Sequence, residues 1–285
     1  MRHAVIMFKR SCTVLDNKKV APGHWLLKLQ SRDIAKAACP GQFVQILCTD
    51  DSYDPLLPRP FSFLDAKNNV FSILYHVVGK GTEFLSKKEK GDTLRVLGPL
   101  GNGFTLRPAT SDQRPAIKIL VGGGVGIPPL YHLAETLIKN RIVNKEKIHI
   151  FLGARNKFLL LCEKDFNKLG VKVHLATNDG AKGYKGLVTE ALDKFLQSPV
   201  SGRLSQIYAC GPTPMLKAVS ALAEKFKVPC EVSVEVPMAC GFGACLGCAI
   251  KVRLRTADPS LQSDYRFAIA CTEGPVFPSS DILWD

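Results

Sequence analysis

Four cysteines near the C-terminal end carry the most explicit chemistry in the sequence. Cys240, Cys245 and Cys248 follow the pattern Cys-x4-Cys-x2-Cys, and Cys271 arrives after 22 further residues. With that spacing one loop can wrap a [2Fe–2S] cluster while a distant fourth thiolate closes the site. Gly241, Gly243 and Gly247 fit the same purpose, because backbone N–H groups must approach the bridging sulfides and a Cβ would obstruct them or forbid the φ required. The alternative is a structural zinc on four thiolates, although zinc ribbons usually hold their metal with paired Cys-x2-Cys knuckles.

Two further segments could hold phosphate. Gly122-Gly123-Gly124-Val125-Gly126 follows an apolar run and leads into Ile127-Pro128-Pro129. Bare amides at a helix N-terminus suit a pyrophosphate. Ile127 stands where a strict G-x-G-x-x-G has its third glycine, so a plain strand-to-helix turn is the competing reading. Cys210-Gly211-Pro212 repeats the strand–turn–helix pattern later in the chain, and crevices at the carboxyl ends of parallel strands are where dinucleotides bind. The candidate dinucleotide contacts are therefore Gly122, Gly123, Gly124, Gly126, Cys210, Gly211 and Pro212, with Cys210 beside the ligand or simply buried. The third segment pairs Arg59-Pro60-Phe61-Ser62 with Gly79-Lys80-Gly81-Thr82. Arg59 offers a fork for phosphate oxygens, and Thr82 is expected to cap a short helix facing an anion. A surface arginine beside a turn is the bland alternative.

These residues need elements to hold them. Up to about residue 107 the chain reads as short strands broken at Pro40-Gly41, Gly79-Lys80-Gly81 and Gly91-Asp92. The clearest are His24–Leu29, Gln42–Leu47 and Val70–Val78, and the pattern suggests a small antiparallel barrel. From about residue 115 the pattern alternates β and α. Strands are expected at Ala116–Gly122, Lys147–Gly153, Val171–Ala176, Ser205–Cys210 and Pro229–Val236, with a first helix starting at Pro128-Pro129. Five strands with four crossovers describe a parallel, doubly wound nucleotide domain. The fold class is thus mixed β and α/β, in three parts: a β-barrel over 1–107, a nucleotide domain over 108–236 and a small [2Fe–2S] module over 237–285.

Composition excludes several classes. Apolar residues make up 46% and charged residues 22%, which is globular rather than disordered. No stretch reaches the roughly 18 uninterrupted apolar residues of a membrane helix. The apolar run after Met1 is too short for an export signal, so a cytoplasmic protein whose first strand lies near the N-terminus is expected. The net charge of +13 is spread over scattered lysines, and the densest run, Lys87-Lys88-Glu89-Lys90, is broken by an acid, which argues against nucleic acid. Ten cysteines without an export signal argue against a disulfide framework.

Taken together, these motifs resemble the ferredoxin–NADP reductase superfamily over essentially the whole chain. Within it they resemble the family of electron-transfer subunits of class 1B dihydroorotate dehydrogenases. The likeness rests on Arg59 to Ser62, on Leu97-Gly98-Pro99-Leu100-Gly101-Asn102-Gly103-Phe104, on Gly122 to Gly126, on Met238 to Cys248, and on Cys271-Thr272-Glu273-Gly274-Pro275-Val276-Phe277. The resemblance implies that Arg59, Pro60, Phe61, Ser62, Leu74, Tyr75 and His76 contact FAD, and that Gly81 and Thr82 hold its pyrophosphate. It implies the cluster on Cys240, Cys245, Cys248 and Cys271, and a preference for NAD although Arg155 and Lys157 stand where a ribose-binding acid is usual. Phe61 occupies a position that is often Tyr in the superfamily, so a phenol hydrogen bond to the flavin is missing. The interval from Cys248 to Cys271 is longer than usual, with an extended excursion over Arg253 to Tyr265.

The resemblance also implies an order of carriers: FMN in a dihydroorotate dehydrogenase catalytic partner, then [2Fe–2S], FAD and NAD+, in a heterotetramer of two of each chain. The cofactors carry the chemistry, so no acid–base side chain is assigned. Two alternatives stand beside it. One is the NADH-dependent iron–sulfur flavoprotein reductase of an oxygenase, whose cluster loop is not expected to end in Cys271 to Phe277. The other is a zinc-stabilised nucleotide-binding regulator without redox activity, which would be colourless.

Overall fold

The computed structural model describes residues 7–49, 53–106, 117–198, 205–254 and 264–284. The expected 107/108 boundary, residue 116 and most of the excursion between Arg253 and Tyr265 lie outside the described residues.

Six strands form a closed antiparallel barrel in the order β1-β2-β5-β4-β3-β6. They are β1 (Phe8–Ala21), β2 (His24–Gln30), β3 (Phe43–Ile46), β4 (Arg59–Lys67), β5 (Val70–His76) and β6 (Thr93–Leu100). Alternation builds the interior: Leu27, Leu29, Val44, Ile46, Phe63, Phe71, Ile73, Tyr75, Leu94 and Val96 share one core. Two short helices, α1 (Arg32–Ala37) and α2 (Lys80–Ser86), add Ile34 and Leu85 to it.

The second sheet has seven strands in the order β10-β9-β8-β7-β11-β12-β15. Its parallel part comprises β7 (Lys118–Gly123), β8 (Ile148–Ala154), β9 (Lys172–Thr177), the two-residue β10 (Tyr184–Lys185), β11 (Gln206–Cys210) and β12 (Cys230–Ser233). The helices are α3 (Ile127–Lys139), α4 (Glu163–Leu169), α5 (Val188–Gln197) and α6 (Thr213–Lys225). As expected, α3 opens with Pro128 and Pro129 in its first turn, and it buries Leu130, Leu133 and Leu137. From β7 the strand order runs one way through β8 and β9 and the other way through β11 and β12. The reversal lies between β7 and β11, where open α/β sheets bind ligands.

The C-terminal part holds a two-stranded hairpin of β13 (Ala249–Arg253) and β14 (Tyr265–Ile269). It is not a separate lobe. Its last strand, β15 (Val276–Pro278), pairs antiparallel with β12 and so becomes the edge of the nucleotide sheet. The sheet therefore has two strands more than the five expected. Cys248, Cys271 and Phe277 share a core with Phe43 and Leu100 of the barrel and Val232 of β12. Among the described residues no helix is long and apolar enough to cross a membrane.

Helix α3 packs across β4, where Phe63 meets His132 edge-on at 6.4 Å. His132 is only 5% exposed, and its Nδ1 has no hydrogen-bond partner. Burial lowers its pKa to about 4, while Asp65 pulls it up and Lys67 down. The unfolded chain takes up this proton near the ordinary value of 6.5 and the folded chain refuses it. The associated stability is full above pH 6.5 and is lost as the pH falls toward 4, by roughly 3 kcal/mol in all. Urea unfolding at pH 7 and pH 4.5 should show that share of the acid sensitivity vanish in His132→Leu. An equal pH dependence in variant and wild type would refute it.

Candidate electron-transfer site

Three sets of residues make up the candidate site. The first is the crevice at the reversal of strand order. Cys210 of β11 lies level with Gly122 of β7, and the Gly122–Gly126 loop crosses directly over the next turn. A Cβ at Gly126 would collide with the backbone of Cys210 and Gly211. A Cβ at Gly123 would meet Met215 Sδ at 3.0 Å and Pro212 Cδ at 3.4 Å. The two glycine motifs thus form one surface, with Gly124 in the left-handed region at φ +55° and open around its Cα. The Cys210 thiol is buried and pushed up to about 12 by desolvation, so it stays neutral. At the end of β8, Arg155 and Lys157 are exposed.

The second set lies on the barrel. Arg59 and Gly81 come together: a Cβ on Gly81 would meet Arg59 Nε at 3.3 Å. Arg59 Nη1 donates to Leu57 O at 2.6 Å, which fixes the guanidinium beside the start of α2. Thr82 caps that helix from its third position, as the return half of a capping box, and not as the N-cap itself. Gly79 is the N-cap, and Thr82 reaches back from the first turn, its Oγ1 accepting from the N–H of Val78 at 2.9 Å and of Gly79 at 3.2 Å. The strand register puts Pro60 and Ser62 on one face of β4 and turns Phe61 the other way, edge-on to Tyr75 at 5.7 Å. Tyr75 sends its ring into the barrel core, where its hydroxyl meets Asn17 Oδ1 at 3.2 Å, so only its backbone remains for a ligand outside. Leu74 faces the other way, in the core shared with Phe104 and Ile127, and the exposed His76 stacks on His24 at 4.4 Å.

The third set is the cysteine loop. The four thiols form an outer pair, Cys240 and Cys245, and an inner pair, Cys248 and Cys271, the latter 3% and 1% exposed. Within each pair one residue's amide points at the other's sulfur: Cys245 N to Cys240 Sγ at 3.5 Å, and Cys271 N to Cys248 Sγ at 3.4 Å. Gly243 N adds a third such bond, to Cys271 Sγ at 3.1 Å. Burial raises the Cys240 pKa, but the amides of Cys245, Phe242 and Ala244 outweigh it and bring the thiol down to about 6. Cys271 is pushed up to about 12 by burial and by the neighbouring Cys248. Gly241 and Gly243 have φ of +80° and +88°, as does Leu246 at +58°. Gly247 carries no such demand, since its Cβ would meet only Cys245 Sγ at 3.6 Å. Among the described residues no three His, Cys, Asp or Glu side chains converge on one ion position. Four thiols in two pairs, with amides aimed at sulfur, suit a two-iron cluster better than a single tetrahedral zinc.

Asn102 ties the loop to the barrel. Its side chain donates to Thr272 O at 3.0 Å and Glu273 O at 2.9 Å, and its amide donates to Gly274 O at 2.6 Å. The Leu97–Phe104 and Cys271–Phe277 motifs are therefore two halves of one joint. Sequence reading names both motifs but gives Asn102 no role. Gln45, buried against the cluster loop, carries no sequence signal at all.

A barrel, a doubly wound sheet and a four-cysteine loop, joined in this way, define an iron–sulfur oxidoreductase of the ferredoxin–NADP reductase type. Residues 120–221 match the family model of the oxidoreductase NAD-binding domain, and residues 235–283 match that of the iron–sulfur cluster binding domain of dihydroorotate dehydrogenase B. The electron transfer subunit of dihydroorotate dehydrogenase B (NAD(+)) from Desulforamulus reducens is 38% identical, over 93% of this chain and 95% of its own length. The same subunit from Geobacillus kaustophilus is 39% identical over 95% and 97%. Among solved structures, a chain of an NADH-dependent reduced ferredoxin–NADP oxidoreductase superposes with a TM-score of 0.78 at 32% identity, covering 97% of this chain and 91% of that one. The protein belongs to the family of dihydroorotate dehydrogenase B electron transfer subunits.

Proposed function

We propose that this chain is the electron-transfer subunit of an NAD-dependent dihydroorotate dehydrogenase in pyrimidine biosynthesis. The observation that carries the reading is the joint that seats the paired cysteine thiols against the barrel. In this reading Cys240, Cys245, Cys248 and Cys271 hold [2Fe–2S]. Arg59, Gly81 and Thr82 bind the pyrophosphate of FAD. Pro60, Phe61, Ser62, Leu74, Tyr75 and His76 surround the rest of the flavin, Tyr75 through its backbone. Gly122, Gly123, Gly124, Gly126, Cys210, Gly211 and Pro212 bind NAD. Residues 1–107, 108–236 and 237–285 are the corresponding working units.

A [2Fe–2S] centre passes single electrons and NAD+ accepts a hydride, so a flavin that handles both belongs between them. The chain's own residues orient and exclude water. Neutral, buried Cys210 offers no acid–base group, so no catalytic side chain is assigned. Ten cysteines, four of them assigned to the cluster, suit a reducing compartment, which supports a cytoplasmic location. The partner is the FMN-containing catalytic subunit, two of each chain forming a heterotetramer. Phe242 and Leu246, 48% and 60% exposed beside the outer thiol pair, form the proposed contact patch.

The test is reconstitution. This chain alone should not oxidise dihydroorotate, since in this reading that oxidation takes place on the FMN of the partner subunit. Adding the catalytic subunit should give dihydroorotate-dependent NADH formation, with a lower kcat/KM for NADP+. Activity from this chain alone, or none from the mixture with all cofactors loaded, overturns the reading. Unchanged coupling in Phe242→Ala and Leu246→Ser with the cluster intact rejects the patch.

A further inference from the structure

Gln45 lies in the middle of β3, between Val44 and Ile46, whose side chains enter the barrel core. Its own side chain therefore points outward, on the face that β3 turns toward the C-terminal part. The register sets Pro60 of β4 and Leu97 of β6 beside it, so Gln45 shares its face with part of the proposed flavin motif. That face is not open to water: Gln45 is 1% exposed. Neither Nε2 nor Oε1 has a hydrogen-bond partner. Buried polar groups in folded proteins are nearly always paired, so an amide orphaned at both ends calls for a partner.

The cluster loop lies directly across from it. A Cβ on Gly241 would stand 2.6 Å from Gln45 Cγ and 2.8 Å from Nε2. Gly241 follows Cys240, one thiol of the outer pair, whose Sγ accepts from the Cys245 amide. The missing side chain at Gly241 lets this loop close onto the amide, and no protein atom there satisfies it.

We infer that Gln45 is a positioning residue for the iron–sulfur centre, its side-chain N–H donating to a sulfur on the Cys240 side of the cluster. The inference rests on the cluster assignment proposed above. Hydrogen bonds to sulfur are one of the levers that set cluster potentials. Reduction adds negative charge to the sulfurs, so an N–H donor stabilises the reduced form more than the oxidised one. Gln45 thereby raises the cluster's reduction potential from a position on the flavin-bearing barrel, where it also holds the loop against β3.

The experiment compares wild type, Gln45→Met and Gln45→Glu, each purified with iron and FAD quantified. Gln45→Met keeps the length and loses the donor, so iron, FAD and melting temperature should stay near wild type while the cluster midpoint moves negative. A hydrogen bond to a charged group is worth enough to lower the reduced-to-oxidised ratio about tenfold at fixed ambient potential. Gln45→Glu places a carboxylate beside the thiolates and should move the midpoint further in the same direction. Wild-type protein with ¹⁵N only in glutamine side chains should show a nitrogen coupling to the reduced cluster in pulsed EPR, and Gln45→Met should lack it. An unchanged midpoint and EPR spectrum in Gln45→Met, or no such coupling in wild type, overturns the inference while leaving the cluster in place. Wild-type protein that binds no iron instead overturns the functional reading.

Discussion

Cys245→Ser is expected to strip most of the iron and acid-labile sulfide from the purified protein while leaving FAD bound. Cys245 belongs to the outer pair and is exposed, so the exchange removes no packing from the core shared by Cys248 and Cys271. Its amide would still reach Cys240 Sγ, so the loop keeps its backbone support. What is lost is one of four thiolates, and a serine hydroxyl is a poor substitute as an iron ligand. The proposed flavin residues lie on β4, β5 and α2, away from the substitution. NADH oxidation by dyes that take electrons from flavin should therefore persist, while electron delivery through the partner falls by roughly a hundredfold or more, the usual scale of losing an essential group. Iron, sulfide and FAD analysis with the visible spectrum decides the matter. Full retention of the cluster, or zinc as the only metal, would contradict the assignment.

Gly126→Ala should be nearly as damaging, at the other end of the carrier chain. Gly126 has an ordinary backbone conformation, φ −77°, so the objection to a side chain is steric alone. The added methyl would overlap backbone atoms of Cys210 and Gly211, which have no rotamer to escape into. The loop must lift off β11, and the surface shared by the two glycine motifs comes apart. The expected result is a loss of at least tenfold in NADH affinity, with the flavin and cluster spectra unchanged. Gly91→Ala, in the turn before β6 and outside the proposed nucleotide site, is the control. It meets no atom within 4 Å, and its φ of +97° costs a non-glycine residue about 1–3 kcal/mol without touching the crevice. Stopped-flow or equilibrium titration with NADH compares the two. Wild-type affinity in Gly126→Ala would remove this turn from the nucleotide site.

How much of this was readable from the residues alone depended on how local each signal was. The cysteine ligands were legible because their spacing and glycines lie within one loop. Helix α3 was legible from its prolines and its 3.6-residue apolar period. In the barrel only three of six strands stood out. β1 carries Lys and Asp along an outward face, and β4 opens with Arg59-Pro60, a segment that reads as a ligand motif rather than as a strand. Thr82 was legible as a helix cap, but its place in the first turn, bonding back to the Gly79 amide, was not, because a threonine can cap from either end of that turn. That the Tyr75 ring points into the barrel core was not legible from its motif, because only the strand register shows which way the period of two in β5 turns it. Gln45 was illegible because its meaning comes from Gly241, which only the fold brings beside it.

The pairing of β15 with β12 sets how the molecule can be taken apart. Iron–sulfur segments with their own closed core can be moved between reductases as cassettes. Here the excision would strip an edge from the nucleotide sheet and bare a row of unpaired backbone groups on β12. It would also empty the side of the common core that Phe277, Cys248 and Cys271 fill against the barrel residues Phe43 and Leu100. The same stitching clamps the thiols at a fixed distance from the barrel, which a one-electron handover needs, because its rate falls steeply with separation. A tethered, swinging carrier is thereby ruled out. The chain behaves as a solid-state relay, built as a single piece.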